Sequence, residues 1–528
     1  MSQELKYLLT LAAQGRISRR AFLGKAAAAG ISGVVANTML ANAVRAEGPK
    51  KGGLIRAGVA GGESTNSLDP ALAASEVPFQ VNRTWGETLV IEGATGGVEL
   101  RLAEEISSSP DAKTWTFKIR KGVEFHNGKT VTAEDVVATL KRHTDEKSQS
   151  GALGIVKDIA EMKAEGDKVT LTLGNPNADL PFLMADYHLI IQPNGGIDNP
   201  AEGIGAGPYK VEVFEPGVRV GYTKFANYFD ESIGHADQLE LIVINDNTAR
   251  TAALQSGQVH MMNRVDPKIA DLLKSAPGVE VKSVAGRGHY VFIMHVDKPP
   301  FDNNDLRMAL KLAIKRQEMV DKILGGLGSV GNDFPINSAY PYFDETIPQR
   351  EYDAAAAAEY YRKSGHDGSP IILRTAPGAF PGAVDAANLF AASAQAAGIP
   401  LQVKLEPDDG YWSNVWNVEP FCASYWGGRP VQDQMYSTAY LSTADWNDTR
   451  FKNAEFDALL LAARGELDEA KRKAEYSKMA HILRDEGGLI CPMFNDFVDG
   501  VRSEIAGWSE DPNGELMNGR AMVKCWLA

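Results

Sequence analysis

Apolar residues recur along this chain with two distinct periods. From Thr114 to Arg120 they alternate strictly. Trp115, Phe117 and Ile119 point one way and Thr116, Lys118 and Arg120 the other, the pattern of a half-buried strand. Gly122 breaks the run, and Asn127-Gly128 supplies a turn that accepts positive φ. The period then lengthens. Thr132 is placed to cap a helix, Glu134 and Asp135 complement its dipole, and Val136, Val137 and Leu140 form its apolar stripe. Further strands are predicted at Val169–Leu173, Leu239–Ile244, Leu401–Leu405 and Phe421–Trp426, with extended apolar runs at Tyr290–His295 and Leu489–Val498. Helices are predicted over Phe79–Leu89, from an N-cap at Asp305 through Leu324, over Asp353–Lys363 and Ala383–Ala397, and from Leu467 to Arg484. Gly398 suits a left-handed helix cap. The order strand, helix, strand after Leu239 suggests a βαβ unit.

At 528 residues the chain is too long for one ordinary core, so two or more lobes are expected. The first 46 residues read as a segment outside the fold. Ser18-Arg19-Arg20-Ala21-Phe22-Leu23 matches the twin-arginine export signal, an apolar Gly/Ala-rich run follows, and Val44-Arg45-Ala46 offers small residues for a signal peptidase. The run holds Lys25, Asn37 and several glycines, too polar and too short to rest in lipid. With no cysteine near the cleavage point, a lipid anchor is not expected. The chain beyond residue 46 keeps 48 basic against 67 acidic residues, a balance of −19. That charge disfavours nucleic acid and anionic membrane as partners and makes any basic residue in a site conspicuous. Cys422, Cys491 and Cys525 have no metal-ligand spacing, and His235, His260, His289 and His295 are scattered and read as structural. No cofactor is expected, although the missing Cys-x-x-Cys-His motif excludes only covalently attached haem.

One literal string narrows the reading. Trp115-Thr-Phe-Lys-Ile-Arg-Lys-Gly-Val123, followed by Phe125-His126, Gly128 and Thr132-Ala-Glu-Asp-Val136, resembles the signature of the family 5 extracytoplasmic solute-binding proteins of ABC importers. Gly205-Ala-Gly-Pro-Tyr209 and Pro299-Pro-Phe-Asp302 resemble that family at later points, so the likeness spans nearly all of the chain after the leader. The resemblance implies an α/β, two-lobe periplasmic-binding-protein fold (type II, cluster C) with an extra subdomain in the first lobe. The expected layout is a signal peptide at 1–46 and a first lobe at 47–291 with its insert at about 97–221. A second lobe at 292–498 and a return to the first at 499–528 complete it. It further implies a periplasmic monomer that passes a small-molecule solute to a membrane permease and its ATPase subunits. His126 is read as a turn residue packing its own hairpin.

The ligand should lie where the lobes close. The informative segment is 421–447, FCASYWGGRPVQDQMYSTAYLSTADWN. In the peptide-binding branch of the family a Trp-x-x-Asp stands here and its aspartate holds the peptide ammonium. This chain has Trp426-Gly427-Gly428-Arg429, a base in place of the acid. The branch's Arg-x-Tyr carboxylate anchor is also missing, with Pro377–Ala383 at its place. A guanidinium repels an ammonium in a closed cleft and meets a carboxylate with a bidentate fork. Arg429 is therefore expected to hold a ligand carboxylate, unless it salts with a neighbour such as Asp433. Tyr425, Trp426 and Trp446 would wall the pocket, Gly427 and Gly428 would let backbone approach the ligand, and Asp433 would hold an ammonium or orient Arg429. Asn66 would contribute from the loop ending in Leu68-Asp69-Pro70, which in the family borders the cleft.

The expected solute is a carboxylate-bearing opine-like compound or modified amino acid, with a di- or oligopeptide bound in a shifted pose as the alternative. A secreted hydrolase ranks lower. The chain has no Gly-x-Ser-x-Gly, His-Glu-x-x-His or phosphate-loop motif, although dispersed carboxylates could still serve one.

Overall fold

The structure is a computed structural model that describes residues 48–528 except 95, 96, 146, 148 and 467, together with residues 22 and 24–26. The twin-arginine pair and the cleavage site lie outside the described residues.

The signature strand forms at Thr114–Ile119 within a four-stranded antiparallel sheet, between Ala103–Ser108 and Lys168–Leu173, with Ile159–Glu165 outermost. Trp115 faces Leu171 and Phe117 faces Val169 across the ladder. Thr132 caps the helix Ala133–Thr144 through a reciprocal box with Asp135. Val136 and Leu140 on that helix pack with Phe117 and Val169 in one apolar cluster. His126 sits in the turn region, its Nε2 3.0 Å from the Gly207 carbonyl, and burial lowers its pKa to about 4.

A second, larger sheet runs through the rest of the molecule. Its order is Leu401–Leu405, Ile371–Thr375, Phe421–Trp426, Val279–Met294, Leu489–Arg502, Met261–Met262, Leu54–Val59, Gln238–Val243, Arg219–Lys224 and Tyr209–Glu215. Two long strands make it one sheet. Val279–Met294 and Leu489–Arg502 pair antiparallel from Val279 opposite Arg502 to Ile293 opposite Leu489. The first half of Val279–Met294 and the second half of Leu489–Arg502 lie on the side of the parallel strands around Leu54–Val59, and the other half of each lies on the side of the parallel strands around Ile371–Thr375. Each set has its own core. Ile55, Trp85, Leu241 and Cys525 belong to one, and Phe292, Leu310, Phe390 and Leu483 to the other. The extended runs seen in the sequence are thus pieces of the two strands that carry the chain between lobes. Their register breaks between Ala285 and His289. A Cβ on Gly286 or Gly288 would lie 2.4 or 2.8 Å from the Phe497 ring, so glycine there lets that ring fill the break.

Three helices depart from the pattern-based reading. The one expected at Phe79–Leu89 occupies Glu76–Trp85. Pro78 falls in its first turn, where a missing N–H breaks no helical bond, and Gly86 ends it against Ile190. The stretch after Asp305 splits into Asn304–Leu312 and Arg316–Ile323. Asn303, rather than Asp305, is the cap, accepting from the Asp305 and Leu306 amides. The split is held by Arg316, which donates to the Lys311 carbonyl at 2.9 Å and to Asp333 at 2.6 Å. The last long helix runs Glu469–Glu486 from an Asp468 cap.

Candidate functional site

The helix Glu76–Trp85 puts Glu76, Phe79, Gln80 and Arg83 on one face at helical spacing. Glu76, Phe79 and Arg83 of that face meet the end of the strand Phe421–Trp426 at the crossing strands, and two adjoining cavities open there. One, of about 480 Å³, is lined by Glu76, Phe79, Arg83, Tyr187, Tyr290, Asn495, Phe497, Glu515 and the run Tyr425–Arg429, among others. The other, of about 340 Å³, is largely aromatic: Phe79, Tyr187, Trp412, Trp416, Tyr425, Trp426 and Trp446 surround Ala74, Gly427 and Arg429. A further cavity on first-lobe residues shares Arg83 and Tyr187 with the first, and its Arg101 is already neutralised by Glu87 and Asp230.

Arg429 is the charged centre of the aromatic cavity. Only 5% of it is exposed. Its backbone amide donates to the Tyr340 hydroxyl, and its guanidinium donates to the Gly428 carbonyl at 3.0 Å and the Tyr187 hydroxyl at 3.4 Å. The buried Nε has no partner. Among the described residues no carboxylate lies within 4.0 Å of it. The nearby acids that favour its charge are engaged elsewhere, Asp186 with His188 at 2.6 Å and Glu92 with Arg83 at 3.9 Å. A buried guanidinium with only neutral partners is an open donor for an anion.

The aromatic wall is fixed from behind. Trp416 and Trp426 both donate their indole N–H to Asp448 Oδ2, at 2.9 and 3.1 Å. Burial pushes the Asp448 carboxyl up to about 7 against those two donors. Trp446 packs 5.5 Å from Trp416 and 5.9 Å from Trp426, centroid to centroid.

Of the residues expected from the sequence, Tyr425, Trp426, Gly427, Arg429 and Trp446 converge on these cavities. Gly428 also lines one, but a Cβ there would fall 2.9 Å from the Asn513 carbonyl. Close approach of the protein's own C-terminal segment is what requires that glycine. Asp433 is a correction. It starts the helix Gln432–Ala439 fully buried and turns to Arg464, Nε to Oδ1 2.5 Å, rather than to Arg429 or a cavity. Asn66 is a second correction. Its Oδ1 accepts the Glu63 amide at 2.8 Å inside its own turn, and it lines neither cavity. The loop contributes Glu63 instead, whose carboxylate accepts from the Trp412 amide at 2.8 Å and the Ser413 hydroxyl at 3.1 Å across the cleft. Glu76, Arg83, Tyr187, Tyr290, Asn495, Glu515 and Asp448 were not singled out from the sequence. The one available signal was the charged and aromatic face of Glu76–Arg83, which a core-facing stripe would not carry.

Comparisons with known proteins bear on the family and the fold. The family model of bacterial extracellular solute-binding proteins, family 5, matches residues 97–448. Di/tripeptide-binding protein 1 of Pseudomonas aeruginosa (strain UCBPP-PA14) is 26% identical over 462 residues, covering 80% of this chain and 86% of that protein. The periplasmic binding protein AgaA of A. tumefaciens R10, solved with agropinic acid, superposes with a TM-score of 0.81 at 23% identity, over 90% of this chain and 99% of its own. DppA of Helicobacter pylori, solved with the peptide STSA, gives a TM-score of 0.82 at 21% identity, over 92% and 99%. The α/β, two-lobe fold is that of periplasmic binding proteins, and with a family match over more than half its length the chain belongs to the bacterial extracellular solute-binding proteins of family 5.

Proposed function

We propose that the protein captures a small carboxylate-bearing solute, an opine-like compound or modified amino acid, in the periplasm and delivers it to the permease and ATPase of an ABC importer. The observation that carries this reading is Arg429, buried at the junction of both cavities with no carboxylate of its own. The aromatic wall suits its apolar or sugar face. A di- or tripeptide is the second reading, favoured by the relative named for such ligands. It would have to lie in a shifted pose, with its carboxylate rather than its ammonium at Arg429. The protein acts as a binder and not as an enzyme, so the solute leaves unaltered.

Native mass spectrometry of protein purified without refolding tests the reading. The expected result is a bound compound carrying a carboxylate and recovered unchanged. A retained solute with no acidic group would count against it.

Two further outcomes are expected. The lobes should close on binding, so small-angle scattering with saturating solute should give a smaller radius of gyration. An unchanged radius would mean a preformed pocket. Export should follow the twin-arginine route, so replacing Arg19 and Arg20 with Lys should leave precursor in the cytoplasm. Normal periplasmic accumulation of that variant would exclude the route.

A further inference from the structure

The cavity that holds Arg429 also exposes carboxyl groups to its interior, and their charges do not balance. Glu76 and Glu515 line it. Glu515 is held by Arg264 at 2.7 Å and by the Asn263 side-chain amide at 2.8 Å. Glu76, 8% exposed, has only the neutral Gln80 amide, at 2.8 Å. Asp499, buried beside them, accepts from the Leu516 amide at 2.7 Å and leaves its other oxygen unpartnered. Glu515 is paired with the guanidinium of Arg264, which also faces Glu76 and Asp499 and lies 4.1 Å from the Tyr425 ring centroid, while Arg250 also faces Glu515. Arg83 faces Glu76 more remotely, and Tyr290 and Tyr425 complete the surroundings. The same cavity holds the opposite imbalance at Arg429, nine-tenths buried with an unpartnered Nε. The Asn495 carbonyl oxygen, also buried in this wall, is a second acceptor without a donor.

Resting on the reading of Arg429 as a carboxylate anchor, we propose that Glu76, backed by Glu515, receives a protonated amine of the same solute. The ligand is then a zwitterion: its carboxylate goes to Arg429 and its ammonium to Glu76. A purely anionic solute would leave Glu76 in its protonated form with only the Gln80 amide as partner. Without a ligand, burial and the neighbouring Glu515 carboxylate push Glu76 up to about 8, so at neutral pH it carries a proton. An arriving ammonium stabilises the ionised form, and the proton leaves Glu76 for solvent. Binding at pH 7 therefore releases a proton, and affinity rises with pH toward about 8.

The test uses two probe pairs. Ala-Ala and N-acetyl-Ala-Ala differ in the charge of one nitrogen and keep the same carboxylate. Mannopinic acid carries a protonated secondary amine, which in agropinic acid is closed with one of its carboxyls into an uncharged lactam, so that pair also differs by one carboxylate. Calorimetric titration of the full protein should favour the amine-bearing member of a pair that binds by about ten- to a hundredfold. Repeating it in buffers of different ionisation enthalpy should reveal the released proton. Glu76→Gln keeps the shape and hydrogen-bonding capacity of the protonated side chain, so it should fold. It should abolish both the preference and the proton release. Equal affinity for both members of a pair, or a preference that survives in Glu76→Gln, would overturn the proposal while leaving Arg429 as an anion anchor. If none of the four compounds binds wild type at millimolar concentration, both the solute class and this inference fail.

Discussion

Arg429→Ala should weaken binding of the natural solute by about two to four powers of ten while leaving the unliganded protein as stable as wild type. Removing one partner of a buried charge pair costs about 3–5 kcal/mol, because the other charge is left desolvated. In the liganded protein that other charge is the solute carboxylate. In the unliganded protein Arg429 has no carboxylate to abandon: it donates to the Gly428 carbonyl and the Tyr187 hydroxyl and is otherwise unpaired. Taking it away relieves a buried charge. Arg429→Lys should recover only part of the affinity, since an ammonium lacks the two-pronged donor geometry. Calorimetry and melting curves on both variants check this. Undiminished affinity in Arg429→Ala would remove Arg429 from the site, and a large fall in the melting temperature of the unliganded variant would make it a structural residue.

Asp433→Ala should do the reverse. Asp433 is fully buried and Arg464 is 2% exposed. The carboxylate holds the Arg464 Nε at 2.5 Å, while the far guanidinium nitrogen donates to the Ser437 hydroxyl. Without Asp433 that guanidinium stays buried with too little to neutralise it. Denaturant titration should show a loss of about 3–5 kcal/mol. Asp433→Asn, which keeps an acceptor, should lose less. Solute affinity of the folded fraction should not change, because Asp433 lines neither cavity. A stable Asp433→Ala that no longer binds would return this residue to the cleft.

The two acidic positions show what sequence could and could not convey about the site. Tyr425 to Arg429 are consecutive, so the strand that carries one carries the rest, and their convergence was legible once the segment was recognised. Asp433 is close to Arg429 in sequence, yet the helix that begins at Gln432 aims it at a residue thirty-one positions on. Glu515 reaches the cavity from the far end of the chain, and Glu76 from near its start. No local period reports such a meeting, because it is made by tertiary closure. The fold was more readable. The alternation at Thr114–Ile119 and the cap at Thr132 are local, and both stand as the pattern predicts; the reciprocal bond from Asp135 is added by the structure. Where the pattern erred, as in the split after Asn304–Leu312, the cause was a long-range partner, Asp333, that holds Arg316 in place. Trp446 lines the aromatic cavity, but the role of Asp448 nearby in sequence is not legible, because the indoles of Trp416 and Trp426 give that carboxyl its partners.

The order of synthesis sets the order in which this molecule can be finished. The first lobe's core joins Ile55 and Leu239 to Met522, Val523 and Cys525, and its closing strand Trp526–Leu527 pairs with Ile505–Ala506. The second lobe needs nothing past the strand Leu489–Arg502. A growing chain can therefore complete its second half while its first half still waits for residues not yet made. The acidic wall, which depends on Glu515 from that same closing segment, comes into being only after that segment has been made.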